Sequence, residues 1–233
     1  MNRSDTWGDD PADGGRTLRL LILGAGRLGG VLGMRWAAQG HDVTWIVPAD
    51  SVARRAELAT RRNARVTSAA DAGSAMDALV VTTPWAVAVD AVAGLAIPPG
   101  TPLLDCTNPV GFGPGGVRRE VLEDGSVAAR LAARFPELAV VKTLNQVGAD
   151  VVEDPRRYPT APLMFVAGDD DDVREHVATL VRALGFDVRH AGGLANAAAL
   201  EALALLWMHD AMQSAAGRHQ SFAVQTPATT VPH

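Results

Sequence analysis

Short apolar runs alternate with helical repeats along most of this chain. Leu18, Leu20, Leu21, Ile22 and Leu23 form a run of strand length that stops at Gly24, and Leu28, Val31, Leu32 and Trp36 then recur at helical spacing. Gly40 suits the left-handed cap that ends such a helix. Residues 41–47 predict a second strand, closed by Pro48, and Ser51 is placed to N-cap a helix carrying Arg54, Arg55, Arg61 and Arg62. A short strand over 65–67 and a short helix over 69–75 follow. Residues 78–83 are apolar and β-branched, as in a parallel strand buried on both faces, and the run stops at Pro84 and Trp85. Residues 103–109 repeat that arrangement. The glycine-rich segment 110–116 reads as a mobile loop without regular structure. Beyond it the pattern predicts a helix over 126–134, a strand over 139–144, a strand over 161–168, a helix over 173–184, a strand over 186–189 and a long apolar helix over 194–216.

Strands that alternate with helices predict an α/β fold, a doubly wound and mostly parallel sheet with helices on both faces and a small C-terminal α/β extension. The expected divisions are a disordered leader (1–16), a dinucleotide-binding domain (17–150), a small extension packed on it (151–217) and a flexible tail (218–233). The leader is polar and rich in Asp and Gly, the opposite of a signal peptide. At 233 residues, there is no room for a separate large helical domain.

The first turn carries the clearest chemistry. Gly24 can supply a conformation closed to other residues, Gly26 lets a pyrophosphate approach the backbone, and Gly29 lets the helix pack on the strand. The N–H groups of the first helical turn would hold the phosphates. Such a GxGxxG, set between a strand and a helix, reads as a nucleotide-binding turn. Ligands in these folds bind at the carboxyl ends of the strands, where Thr83, Pro84 and Trp85 would lie. Trp85 reads either as a wall of a nicotinamide pocket or as a core tryptophan. The end of the second strand should read the ribose. Asp50 comes slightly late to bind a 2′-hydroxyl, whereas Arg54 or Arg55 could take a 2′-phosphate or simply be a solvated face, so the reading leans to NADP over NAD.

The remaining features limit the function. A net charge of −5, with scattered charges, argues against nucleic acid or an anionic membrane as partner. The single cysteine, Cys106, excludes a disulfide framework, reads as a small buried residue and suits a cytoplasmic compartment. Four consecutive acids, Asp169 to Asp172, precede a helix and read as capping rather than as a metal site. The last helix is interrupted by Glu201, His209 and Asp210, so it reads as a buried or dimer-forming helix and not a membrane span. No residue stands out as a catalytic acid, base or nucleophile. An enzyme that moves hydride between two bound carriers needs little such machinery.

The chain resembles the coenzyme F420-dependent NADP oxidoreductases and related dinucleotide-binding reductases. The resemblance rests on residues 22–29, 82–85, 105–109, 141–148, 165–170 and 191–194, with Asn196 and Glu201. It implies a Rossmann fold, usually dimeric, with the nicotinamide lying against a second carrier, either F420 or a flavin. By position, it implies that Gly24, Ala25, Gly26, Arg27 and Leu28 hold the pyrophosphate. Thr82, Thr83, Pro84 and Trp85 would bound the nicotinamide ribose and ring, Asn108 and Pro109 would face the second carrier, and Asn145 to Gly148 would form the next wall. Val47 and Pro48 stand where relatives that use NADP commonly carry Ser-Arg, and Ala86-Val87 replaces a polar position after Trp85. The expected function is hydride transfer between NADP(H), or NAD(H), and a deazaflavin or flavin acceptor in a cytoplasmic homodimer. The alternatives are a non-catalytic dinucleotide-binding module and a reductase of another small organic acceptor.

Overall fold

A computed structural model describes residues 15–48, 50–60 and 63–226. Six parallel strands form the main sheet, β1 (Arg19–Leu23), β2 (Asp42–Ile46), β3 (Ala64–Thr67), β4 (Ala78–Val81), β5 (Pro102–Asp105) and β8 (Ala139–Lys142). Their order is β3-β2-β1-β4-β5-β8, so the winding reverses between β1 and β4. At that reversal the helices following the two strands go to opposite faces and leave a crevice at the carboxyl edge. α1 (Arg27–Ala38) follows β1 and α2 (Val52–Ala59) follows β2. Beyond β4, a single 3-10 turn (Trp85–Val87) leads into α3 (Ala88–Ala93), and α4 (Val127–Arg134) precedes β8.

The alternation within β1 shows why the sheet is covered on both sides. Leu20 and Ile22 enter one core with Leu32 and Trp36 of α1, whereas Leu21 and Leu23 enter the other with Val92 of α3 and Leu131 of α4. Successive strand side chains point to opposite faces, so a strand apolar at every position needs a packed layer on each.

After β8 come α5 (Ala149–Glu153), β9 (Leu163–Val166), α6 (Asp171–Ala183), β10 (Asp187–His190) and α7 (Ala197–Gln213). β9 and β10 form a small parallel sheet of their own. An isolated antiparallel bridge between Lys142 and Ala167 joins it to the main sheet. Among the described residues, no helix is long and apolar enough to cross a membrane.

Three local expectations are corrected. The glycine-rich segment is an antiparallel hairpin, β6 (Val110–Gly113) with β7 (Gly116–Arg119), because its glycines permit the reversal, with Gly116 at φ +92°. Residues 69–75 form turns instead of a helix, and the Ser68 hydroxyl donates to Asp71, a local bond that competes with helix formation. The segment expected as a tail from residue 218 runs back over the body. The Gln220 carbonyl accepts from Trp207 Nε1 at 2.9 Å, and the Phe222 carbonyl accepts from the Leu163 N–H at 2.8 Å. Arg61, Arg62, most of the expected leader (1–14) and residues 227–233 lie outside the described residues.

Candidate functional site

The turn after β1 is built as its glycines require. Gly24 has φ +106°, a conformation that favours glycine, and a Cβ there would stand 3.0 Å from the Thr82 carbonyl carbon and the Thr83 nitrogen. The Thr82 hydroxyl donates towards the carbonyls of Leu23 (3.2 Å) and Gly24 (3.0 Å), which fastens the turn to the end of β4. A Cβ on Gly29 would lie 2.3 Å from the Gly24 oxygen, so only glycine lets the helix start this close to the strand. Gly26 is different. It N-caps α1 without a side-chain bond, and a Cβ there meets nothing within 4 Å.

Arg54, reaching from α2, lies across this turn. Its Nε donates to the Ala25 carbonyl at 2.7 Å, one Nη donates to the Gly26 carbonyl at 3.3 Å, and the other pairs with Glu57 at 2.7 Å. Arg55 instead donates to the Val47 and Thr67 carbonyls and ties the ends of β2 and β3 together. Arg27 projects from the first turn of α1 to Asp150 of α5, 2.6 Å away. This ion pair stands between two cavities. One, of about 360 Å³, is lined by Ala25, Gly26, Val31 and Arg54. The other, of about 290 Å³, is lined by Leu28, Cys106, Asn108, Phe112, Leu144, Asn145, Trp207 and Met208. Arg27, Ala149 and Asp150 line both.

The strand ends sort the other candidate residues. Thr83 Oγ1 is buried with no hydrogen-bond partner, at the edge of the turn around Gly24. Pro84 is exposed and caps the 3-10 turn from outside, rather than opening the helix itself. Trp85 is half-buried against the apolar core, and its Nε1 donates to the Val110 carbonyl at 3.1 Å, so its indole supports the β6–β7 hairpin. Asn108 and Asn145 bond reciprocally: Asn108 Nδ2 donates to the Asn145 carbonyl at 2.8 Å, and Asn145 Nδ2 donates to Asn108 Oδ1 at 2.9 Å. Asn145 Nδ2 also donates to the Leu200 carbonyl, while its Oδ1 accepts from Gln146. Both amide protons are therefore committed within the protein. Pro109 is buried and does not line the apolar cavity. Leu144, next to Asn145, adopts φ +56°. For a leucine that backbone costs on the order of 1–3 kcal/mol and persists where the surroundings enforce it, as commonly happens at ligand sites.

A buried charge cluster under this edge escaped sequence reasoning. Lys142 ends β8 and is fully buried, with its ammonium 2.9 Å from Asp105 of β5 and 3.0 Å from Glu201 of α7. Burial pushes the Glu201 carboxyl above its ordinary value, against the pull of Lys142. Burial likewise raises the Cys106 thiol, with Asp105 adding to the effect, so Cys106 is an inert thiol. A lysine inside a strand and a glutamate inside an apolar helix were the available signals.

Three of the four acids have bonded structural roles, and Asp172 lies in the first turn of α6. Asp170 accepts from the Val173 N–H at the start of α6, and Asp169 accepts from the Leu194 N–H. Asp171 pairs with Arg174. Among the described residues, no group of three or more His, Cys, Asp or Glu side chains is gathered for a metal.

Comparison with known proteins fits this geometry. Residues 19–109 match the family described as NADP oxidoreductase, coenzyme F420-dependent. No curated protein matches the sequence. A solved structure of a candidate F420-dependent NADP-reductase from Arthrobacter sp. FB24 is 25% identical and superposes with a TM-score of 0.79, over 90% of this chain and 100% of that one. A hypothetical protein from Sinorhizobium meliloti is 23% identical with a TM-score of 0.65, over 77% of this chain and 87% of that one. A reductive aminase from Aspergillus terreus, solved with NADPH, shares the fold at 21% identity and TM-score 0.61, over 85% of this chain and 63% of that one. The turn around Gly24 and the sheet order make the chain an NAD(P)-dependent oxidoreductase of Rossmann fold, similar over residues 19–109 to the coenzyme F420-dependent NADP oxidoreductases.

Proposed function

We propose that this protein transfers hydride between NADP(H) and a flat two-electron acceptor of the deazaflavin or flavin class, such as coenzyme F420. One observation carries the reading: the open approach beside Gly26 leads past Arg27 into an apolar cavity large enough for a second ring system. The dinucleotide fits the residues present, because the space at Gly26 suits a pyrophosphate and the orphaned Thr83 hydroxyl is a polar group in want of a partner. When bound, the nicotinamide supplies or takes the hydride.

The chain's own residues bind and orient. The α1 N-terminus at Gly26, Arg27 and Leu28 would hold the pyrophosphate, with Gly24 and Ala25 shaping the turn. Thr82, Thr83, Pro84 and Trp85 would edge the nicotinamide ribose and ring. Asn108 would face the acceptor, with the buried Pro109 next to it in the chain and Asn145 bonded to it as a support. NADP is favoured over NAD because β2 runs out into Ile46, Val47 and Pro48, with Asp50 coming late to bind a 2′-hydroxyl, whereas Arg54 brings a guanidinium to the turn. By this reading, residues 17–150 bind the dinucleotide and 151–217 complete the acceptor side. A cytoplasmic homodimer is part of the same reading, and the exposed apolar side chains of Leu206 and Met212 on α7 support the dimer.

The test is a spectrophotometric screen of NADPH and NADH against F420, FMN and FAD. NADPH-dependent reduction of F420 or a flavin is expected. Absence of turnover with every pair, from a folded protein that binds NADPH, would overturn the proposal.

A further inference from the structure

Lys142 makes three bonds, two to the strand-end segment and one to α7, and both elements carry neighbouring residues that line the cavity. Its ammonium donates to Asp105 Oδ2, to the Thr107 carbonyl and to Glu201 Oε1. Asp105 Oδ1 in turn accepts from both the N–H and the hydroxyl of Thr107, at 2.9 and 2.7 Å, which fixes the chain as it leaves β5. Glu201 Oε1 also accepts from the Val127 N–H, the first residue of α4, at 3.0 Å. Cys106 and Asn108, beside Thr107, line the apolar cavity, as do Trp207 and Met208, which follow Glu201 on the same helix. The glycine turn makes no bond to any of the three charged groups.

Two carboxylates and one ammonium buried together are a poor source of stability, since apolar side chains of similar volume often serve as well. What the cluster does supply is a fixed geometry, because each charge is held by at least one further bond. We infer that Lys142, with Asp105 and Glu201, is a positioning group for the acceptor side of the cleft: it registers the strand-end loop at 106–108 against α7 and leaves the dinucleotide side independent. The inference rests on the hydride-transfer reading above.

Glu201→Ala and Glu201→Gln test it. Gln keeps an oxygen to accept from Lys142 and Val127, whereas Ala removes it. Three quantities are measured: NADPH affinity by calorimetry, KM and kcat with F420 or FMN, and amide hydrogen exchange along the chain. Losing hydrogen bonds to a charged group predicts that Glu201→Ala raises the acceptor KM by about tenfold or more. NADPH affinity should stay within about twofold, and Gln should restore KM to within about threefold of wild type. Exchange should quicken over 106–112 and 200–213 in the alanine variant and stay unchanged over 19–38. Equal losses of NADPH and acceptor binding would overturn the inference, as would unchanged exchange in the two wall segments. If the wild type binds NADPH but reduces neither acceptor, the hydride-transfer reading fails, and exchange alone decides whether the cluster holds the wall.

Discussion

Gly26 and Gly29 lie one turn apart at the start of α1 and face opposite surroundings. A Cβ on Gly29 would collide with the Gly24 oxygen and the Thr82 hydroxyl at 2.3 Å, whereas one on Gly26 would enter open space. The first glycine position therefore serves an approach from outside, and the second serves packing. Gly26→Val should fold with nearly wild-type stability and bind NADPH at least about tenfold more weakly, because the branched side chain fills the pyrophosphate approach. Gly29→Ala should lose about 1–3 kcal/mol of stability through overpacking. Thermal denaturation and calorimetry on both variants check the contrast, and a Gly26→Val protein that keeps full affinity would remove the assigned turn.

Arg54 tests the choice of dinucleotide. Its guanidinium bonds to the Ala25 and Gly26 carbonyls and pairs with Glu57, and the proposed function has it read a 2′-phosphate. Arg54→Gln should weaken NADPH binding by about tenfold more than it weakens NADH binding, the scale of a lost charge-assisted bond. Equal losses for the two dinucleotides in competition titrations would mean that Arg54 only braces the turn.

Asn145 should prove a support rather than a ligand. Its amide protons go to Asn108 and Leu200, so Asn145→Ala leaves buried acceptors unpaired and should cost about 1–3 kcal/mol. A melting temperature lowered by several degrees, with NADPH affinity nearly unchanged, is the expected pair of results.

Glu201 gives stability a pH dependence of unusual sign for a carboxylate. Burial holds its folded carboxyl above the ordinary 4.5, so the folded state keeps the proton more tightly than the unfolded chain. Its contribution is complete below the unfolded value and is lost as pH rises through the folded one. Glu201→Gln has no proton to lose, so the variant should gain on the wild type as pH rises above the ordinary 4.5 and through the raised folded value. Melting curves for both proteins across that range measure the difference, and parallel curves would exclude a raised Glu201.

Much of this architecture was legible in local patterns. The turn at Gly24 to Gly29, the apolar β1 and β4 runs and the capping Asp170 before α6 follow from local turn, strand and capping preferences, so these elements could be read along the chain even where their packing partners are distant. The Lys142 cluster could not be, because its partners lie 37 and 59 residues away and meet only when β5, β8 and α7 converge. The hairpin at 110–119 was misread because glycine abundance does not distinguish a loop from a tight antiparallel pair. The return of residues 218–222 depends on bonds to Trp207 and Leu163 that local composition does not signal.

The dinucleotide site is the foundation of the whole account, and calorimetric titration of the wild-type protein with NADPH and NADH measures it most directly. Saturable binding of NADPH, tighter than that of NADH and lost in Gly26→Val, is the predicted result. A folded wild-type protein that gives no binding with either dinucleotide would contradict the account.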